Sequence, residues 1–338
     1  MQARQFFLFF GVFLLFIHAC SHQTGNKNNS TQDTLPGALR EINQKIAQNP
    51  SDPALYLTRA QWLVKNYRYK EALKDIRLCL NKDSLNPAAL VTLGDAYLNL
   101  GQPVLAENAY AKALKLQPTF NDALIGMARY YLVLKNHDQT LALTAKAIIN
   151  QPFNPSAYYL AAWSFMEKGD TLSALKNYLK AIEQKPDYFD AHVQLGILYG
   201  KKQPQMAEAF FKNALRLNPR HIHTRYLLGL LYEEQGEIDK AIAAHQDNLA
   251  INPDYIPSLF AMGVISMADQ LEFKEAITWY DKVLTLDKKY APAYLNRGYC
   301  KEQIGNLSEA AADYRQALTL DPTLEKAAQG LNRIATHH

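Results

Sequence analysis

Pro87 to Phe120 reads PAALVTLGDAYLNLGQPVLAENAYAKALKLQPTF. Counting Pro87 as position 1, Leu93, Gly94 and Tyr97 fall at positions 7, 8 and 11, and Ala106, Tyr110, Ala113 and Pro118 at 20, 24, 27 and 32. Outward from this stretch, prolines recur at 118, 152, 186, 219, 253 and 322. Their spacings are 34, 34, 33, 34 and then 69 residues, the last being two units plus one. Self-similarity at this period predicts a solenoid of stacked supersecondary units. Eight units tile the chain: 53–86, 87–120, 121–154, 155–188, 189–221, 222–255, 256–290 and 291–324. The fifth is one residue short near Gln203-Pro204, and the seventh one residue long between Asp269 and Phe273. Both changes are expected in turns, where length variation costs least.

The residue types follow from packing. Position 8 is Ala60, Gly94, Ala128, Ala162, Gly196, Gly229, Gly263 and Gly298. Position 20 is Ala72, Ala106, Thr140, Ala174, Ala207, Ala241, Ala276 and Ala310. These small residues are expected to face each other across two antiparallel helices, where a larger side chain would overpack the contact at about 1–3 kcal/mol. Large apolar residues at positions 4, 7, 11, 24 and 28 fill the space to the next unit. Gly101, Gly169, Gly236 and Gly305 read as helix stops within the pairs. Proline at position 32 ends the second helix, since it costs about 3 kcal/mol in a helix interior.

This pattern resembles the tetratricopeptide repeat. The resemblance implies an all-α fold, a right-handed α-solenoid of about eight helix hairpins over 53–324. Capping elements are expected at both ends. Ala38, Ile42, Ile46 and Pro50 fit positions 20, 24, 28 and 32 of a lone second helix within 36–52. A final helix is expected within 325–338, with Lys326, Gln329 and Asn332 on its wet face. Such ends keep terminal apolar faces out of water.

The first nineteen residues read as an address. Arg4 and the amino terminus are positive, and Phe6 to Ile17 is a run of twelve nearly uninterrupted apolar residues. As a helix it spans roughly 18 Å, short of a ~30 Å hydrocarbon core, and it fits a secretory signal peptide. It ends on Ile17-His18-Ala19-Cys20, which resembles the lipobox of bacterial lipoproteins, with Cys20 as the lipidated residue. His18 stands where a small residue is usual. Residues 20–35 then make a lipidated cysteine and a tether, with no apolar residue between Ser21 and Thr34. Ser21 after the cysteine, and no acidic export stretch, imply a lipid-anchored protein of the bacterial cell envelope, on the outer membrane facing the periplasm.

Composition and motifs argue against chemistry. Of 338 residues, 48% are apolar and 20% charged, and the net charge is +4. This is ordinary globular composition, not disorder, and lacks the basic excess of a nucleic-acid binder. The chain holds no phosphate-binding Gly-x-x-x-x-Gly-Lys loop, no His-Glu-x-x-His and no Gly-x-Ser-x-Gly. Cys79 and Cys300 lie six units apart and read as packing residues. His221 and His223 read as exposed loop residues rather than a metal site. His245 and Asn248, at positions 24 and 27, share a helix face and are expected to hydrogen-bond each other. His337 and His338 end the chain. No catalytic residue, metal or cofactor is assigned.

What remains is a binding surface. In the family resembled, the first helix of each pair lines a concave groove through positions 2, 5, 9, 12 and 13. Here these include Gln61, Asp95, Asn99, Arg129, Tyr159, Trp163, Met166, Tyr226, Glu233, Phe260, Met267 and Tyr299. Aromatic side chains carry much of the energy at binding hot spots, so Tyr159, Trp163, Tyr226, Phe260 and Tyr299 are expected to form an apolar floor from the fourth unit to the eighth. A cytosolic co-chaperone reading fails on residues: the Lys and Asn that grip a terminal carboxylate are replaced by Leu57 and Gln61, and Thr92 stands for a further Asn. The expectation is a non-catalytic scaffold that binds a protein or extended peptide. The alternatives are a structural subunit of an envelope complex, in secretion or cell-wall machinery, and a glycan-binding module. The resemblance leaves homodimerisation open.

Overall fold

The computed structural model describes residues 37–200 and 202–336. The expected signal peptide, Cys20, the tether, and His337 and His338 lie outside the described residues. Among those described there are eighteen α-helices and no strand. They fall into two compact units, 37–191 and 192–336.

The first unit holds α1 (Gly37–Gln48), α2 (Pro53–Lys65), α3 (Tyr69–Lys82), α4 (Pro87–Asn99), α5 (Pro103–Leu116), α6 (Asn121–Val133), α7 (His137–Asn150), α8 (Pro155–Glu167) and α9 (Thr171–Gln184). Helix α10 (Phe189–Tyr199) begins at its border. The second unit continues with α11 (Pro204–Leu217), α12 (Ile222–Gln235), α13 (Ile238–Ile251), α14 (Ile256–Ala268), α15 (Phe273–Leu286), α16 (Ala291–Gln303), α17 (Leu307–Leu320) and α18 (Glu325–Thr336). From α1 to α9 and from α11 to α18 each helix packs on its successor, and alternate helices also touch: α2 on α4, α4 on α6, α6 on α8, α14 on α16, and α16 on α18. This is the packing of tetratricopeptide hairpins.

Local chemistry sets the ends. Asp52, Asn86 and Asn154 each accept a hydrogen bond from a backbone N–H of the first turn, at 2.9–3.0 Å, and a proline follows at the first helical position. Such caps stabilise a helix by about 1 kcal/mol. Second helices stop two residues before the proline at position 32, as α5 does before Pro118. Between the helices of a pair, position 15 takes a left-handed backbone. Gly101, Gly169, Gly236 and Gly305 meet this demand with φ of 71–83°, while Tyr67 and Lys135 adopt 61° and 57° without glycine's freedom. The extra residue of the seventh unit lies in its turn, where Leu271 has φ 58°.

The small residue at position 8 has a further partner besides the one expected. A β-carbon at Gly94 would stand 2.5 Å from the Tyr110 ring, one at Gly196 2.5 Å from Phe211, and one at Gly263 2.6 Å from Tyr280. Glycine at position 8 therefore makes room for the ring at position 24 as well as for the helix carrying position 20, and the fourth unit departs from this by setting Ala162 against Tyr178. Where position 24 is smaller, position 8 carries a methyl group, as in Ala60 with Ile76 and Ala128 with Thr144. Tyr110, Tyr178, Tyr280 and Tyr314 are among the largest fully buried side chains.

One helix packs beyond the eight units at each side, α1 before α2 and α18 after α17. Helix α1 buries Leu39 and Ile46. It is tied to α2 by Arg59, which donates to Asn43 at 2.8 Å and, through two nitrogens, to Asp75 at 2.7 Å each. At the other end α18 buries Ala327, Gly330 and Ile334. Gly330 lies against the Tyr314 ring as Gly126 lies against Tyr110, so α18 is the first helix of a ninth hairpin. Gln329 and Asn332 face water as expected, but Lys326 is half-buried, and burial holds its ammonium below the usual lysine range.

Candidate functional site

The first unit contains a cleft of about 350 Å³ bounded by the first helices of successive hairpins. Its floor is Val64 from α2, Ala88 and Val91 from α4, and Ile125 from α6. Its polar groups are Gln61 and Lys65 on α2, Thr92 and Asp95 on α4, Asp122 and Arg129 on α6, and Asn154 and Ser156 at the start of α8. The helical period explains the set. Positions 2, 5 and 9 share one face of a first helix, and the repeat presents that face again from the next hairpin. Ala88, Val91 and Asp95 are thus followed by Asp122, Ile125 and Arg129.

Asp95 is the electrostatic hub. Its Oδ1 accepts from the Tyr110 hydroxyl at 2.7 Å and from Arg129 Nη1 at 3.0 Å. Burial, reinforced by the adjacent carboxylate, pushes the Tyr110 phenol well above its ordinary range, so Tyr110 stays a donor. Its ring fills the core while its hydroxyl orients the carboxylate at the cleft. Lys65 and Asp122 make no hydrogen bond or ion pair among the described residues. The cleft therefore offers a bound chain one free cation and one free anion beside a compensated pair.

The structure brings Gln61, Asp95 and Arg129 together in this lining. Asn99 lies outside it: its Nδ2 donates to the Asp95 carbonyl at 2.8 Å, and its Oδ1 accepts from the Tyr69 hydroxyl at 3.1 Å. Of the expected aromatic floor, Tyr159 is buried, whereas Trp163, Tyr226, Phe260 and Tyr299 are each half-buried. Tyr159 is only 9% exposed, and its ring sits 5.5 Å from Tyr178, 5.1 Å from Tyr188 and 6.0 Å from Trp163. Tyr226 lies 5.8 Å from His245 and 6.0 Å from Tyr255, and Phe260 lies 5.6 Å from Tyr280 and 5.3 Å from Tyr290. An aromatic residue at position 5 thus packs against the rings at positions 24 and 34 of its own unit. It spends its surface on the core, since a ring buried against rings gains more than one held in water. The sequence signal, legible in retrospect, is a tyrosine at position 34 wherever position 5 is aromatic. Tyr299 packs edge-on against Phe273 at 6.3 Å. Met267 is buried and so lines no groove, while Trp163 and Met166 are half-buried. Tyr159 and Trp163 belong to the first unit, and Tyr226, Phe260 and Tyr299 to the second.

Glu233 faces inward to a buried polar group. Its Oε1 lies 2.9 Å from His245 Nε2, and His245 Nδ1 lies 3.3 Å from Ser258 Oγ. Asn248 donates to the Ile222 carbonyl at 2.9 Å and to Ser258 Oγ at 3.2 Å. His245 and Asn248 therefore meet through Ser258 from the next hairpin instead of directly. His221 is also no loose loop residue. It caps α12, its Nδ1 accepting from the Thr224 N–H at 3.2 Å, and both His221 and His223 are half-buried. Burial holds both imidazoles below their ordinary range. Cys79 and Cys300 are fully buried. Among the described residues no group of three His, Cys, Asp or Glu is placed to hold a metal ion.

Comparison with known proteins agrees with this architecture. Descriptions of the TPR repeat match residues 164–203, and of the tetratricopeptide repeat residues 87–120, 198–261 and 291–324. Anaphase-promoting complex subunit 3 of Schizosaccharomyces pombe is 22% identical over 262 residues, 77% of this chain and 39% of that protein. Protein O-mannosyl-transferase TMTC3 of Homo sapiens is 24% identical over 306 residues, 89% of this chain and 33% of that protein. The chain thus spans about a third to two-fifths of these relatives. Among solved structures, the APC/C hetero-tetramer Cut9-Hcn1 superposes with a TM-score of 0.57 at 17% identity, covering 88% of this chain and 52% of that one. A tetratricopeptide repeat protein from Parabacteroides merdae ATCC 43184 gives 0.51 at 19% identity, covering 74% and 98%. These likenesses speak for the fold. The chain carries tetratricopeptide repeats, matched in sequence over 87–120, 164–261 and 291–324 and folded as successive helix pairs.

Proposed function

We propose that this protein is a non-catalytic, lipid-anchored scaffold of the bacterial cell envelope that holds a protein or extended peptide in the cleft of its first unit. Tetratricopeptide-repeat proteins typically mediate protein–protein interactions, and this chain carries the repeats. The observation that supports the reading most is the cleft: α4 and α6 both present positions 2, 5 and 9 to it and α2 adds Gln61, Val64 and Lys65, with Gln61, Asp95 and Arg129 in its lining. An extended chain running across those helices would meet a similar set of positions at each hairpin. The anchor rests on the Ile17-His18-Ala19-Cys20 motif, and the periplasmic face of the outer membrane on Ser21 after it. Two relatives with transferase names share only part of their length with this chain, 33% and 16%, and an enzymatic role is not carried over.

Affinity capture from native membranes tests the reading. The expected result is a defined protein set that the Gln61→Ala/Arg129→Ala variant loses at unchanged helicity, with Cys20→Ser moving the protein to the soluble fraction. The same set retained by the double variant would remove the cleft from the proposal. An unmodified Cys20 in membrane-extracted protein would remove the anchor.

A further inference from the structure

Large apolar side chains are unevenly exposed on this protein. Most of the strongly exposed ones belong to the first unit, and five of these stand on the turns inside its first three hairpins: Tyr67, Val104, Leu105, Val133 and Leu134. Leu105 is 45% exposed and Tyr67 75%. They occupy unit positions 13–19, so stacked hairpins bring them to one edge of the unit. Bonds between neighbouring hairpins hold that edge together. Tyr69 on the first turn donates to Asn99 at the second at 3.1 Å, and Tyr130 of α6 donates to Glu107 of α5 at 2.8 Å. Isolated exposed apolar residues are ordinary, whereas a contiguous set marks a surface that something covers.

The charges around this set favour one kind of cover. Lys70 and Lys135 are exposed beside the apolar residues and have no carboxylate partner among the described residues. Of the nearby carboxylates, Glu71 is taken by Arg68, whose guanidinium holds it below the usual range. Asp138 is likewise taken by Lys168, while Glu107 accepts from the neutral Tyr130 hydroxyl and keeps its charge, so the lysines outnumber it two to one. At the fourth turn the exposed Glu167 adds an unpaired negative charge beside Leu172, and the basic apolar edge ends there. Apolar and tyrosine side chains flanked by unpaired lysines match the layering of an anionic bilayer surface, where acyl chains lie beneath negative headgroups. The chain between Cys20 and α1 has sixteen residues, a reach of at most about 55 Å, so an anchor at Cys20 would hold the first unit close to the bilayer. Among the described residues no helix is long and apolar enough to cross a membrane, so the contact would be peripheral.

We infer that the turn edge of the first unit, bearing Tyr67, Val104, Leu105, Val133 and Leu134 with Lys70 and Lys135, rests on an anionic phospholipid surface. The inference builds on the membrane-anchored reading above and adds an orientation to it. The edge lies down on the bilayer, and the neighbouring cleft opens alongside the membrane. The remaining exposed apolar residues of the first unit include Ile149 and Phe153 at the end of α7. They stand at unit positions 29 and 33, at the opposite helix ends from positions 13–19, and serve as the control.

The test is co-sedimentation of the mature chain, residues 20–338 without the apolar Phe6–Ile17 run and carrying Cys20→Ser to remove any acyl contribution, with vesicles of phosphatidylethanolamine and phosphatidylglycerol at 7:3. Phosphatidylcholine vesicles serve for comparison. Binding is expected to the anionic vesicles. It should fall at least tenfold in Tyr67→Ser/Val104→Ser/Leu105→Ser/Leu134→Ser, and stay within twofold in Ile149→Ser/Phe153→Ser. Lys135→Glu, an exposed change with no packing cost, should weaken binding to anionic vesicles only, which keeps the test decisive if the quadruple variant misfolds. No binding by the Cys20→Ser chain, or equal losses from the edge and control variants, would overturn the inference. Acylation of Cys20, read by mass spectrometry of the wild-type chain, separates that failure from a failure of the anchor itself.

Discussion

Asp95 and Arg129 hold the same place in consecutive repeats, 34 residues apart, and are joined by an ion pair of 3.0 Å at the mouth of the cleft. The pair is partly exposed, and exposed pairs contribute only about 0.2–1 kcal/mol. Arg129→Ala should therefore lower the melting temperature by less than about 3 °C while reducing partner capture about tenfold. Asp95→Asn removes the charged acceptor of a buried tyrosine and should cost about 1–2 kcal/mol, read as a lower urea midpoint.

Buried forks at the ends of the array are a stability matter. Arg297 donates to Asp313 at 2.6 and 2.8 Å, as Arg59 does to Asp75, and it also reaches back to Asp281 at 2.5 Å. Both acceptor carboxylates are nearly buried. Removing one leaves a half-buried guanidinium with a single other side-chain acceptor, Asn43 for Arg59 and Asp281 for Arg297, which costs about 2 kcal/mol. Asp75→Ala and Asp313→Ala should each lose that much in urea unfolding, several times the loss from Glu41→Ala in the exposed Lys45–Glu41 pair.

Size matching between positions 8 and 24 yields a rescue experiment. Gly94→Ala drives a methyl group into the Tyr110 ring and should cost about 1–3 kcal/mol. Adding Tyr110→Ile recreates the Ala60–Ile76 pairing of the first repeat. It should recover part of the loss, whereas Tyr110→Phe should recover none, because the ring and not the hydroxyl is in the way. Thermal melts of the three variants decide it.

Left-handed turns at Lys135 and Leu271, with φ of 57° and 58°, carry steric strain of about 1 kcal/mol that glycine lacks. Lys135→Gly and Leu271→Gly should each raise stability by about 0.5 kcal/mol once glycine's extra unfolded-state entropy is subtracted. Gly101→Ala, at φ 71°, should lower it. A calorimetric scan of the three variants checks the order.

Buried thiols and phenols set the response to alkaline pH. Burial pushes the Cys300 thiol up to about 12, so a disulfide reagent at pH 8 should leave Cys79 and Cys300 unmodified until denaturant is added. Burial, with a hydrogen bond to Glu208, pushes the Tyr232 phenol up to about 12. An unfolded tyrosine ionises near pH 10, so the unfolded chain releases its proton first. The stabilisation is complete below about pH 10 and is lost as pH rises toward about 12. Unfolding midpoints measured from pH 8 to 12 should decline only above 10, and less steeply in Tyr232→Phe.

The sequence by itself determined the repeat. Proline at position 32 cannot continue a helix, small residues at positions 8 and 20 recur at every unit, and the period of 34 brings each motif back in register. Those are local demands that each residue meets against its own hairpin, so helix order and turn sites could be read in advance. The groove positions were legible for the same reason where their residues are polar, as at Gln61, Asp95 and Arg129. Only the tertiary structure decided which large side chains stay in contact with the core. Tyr159, Tyr226 and Phe260 sit at groove positions but turn onto the rings at positions 24 and 34, because burying aromatic area outweighs holding it in water. Ser258 between His245 and Asn248 was equally out of reach, since a hydrogen bond between neighbouring hairpins depends on how they stack and no spacing within one hairpin encodes it.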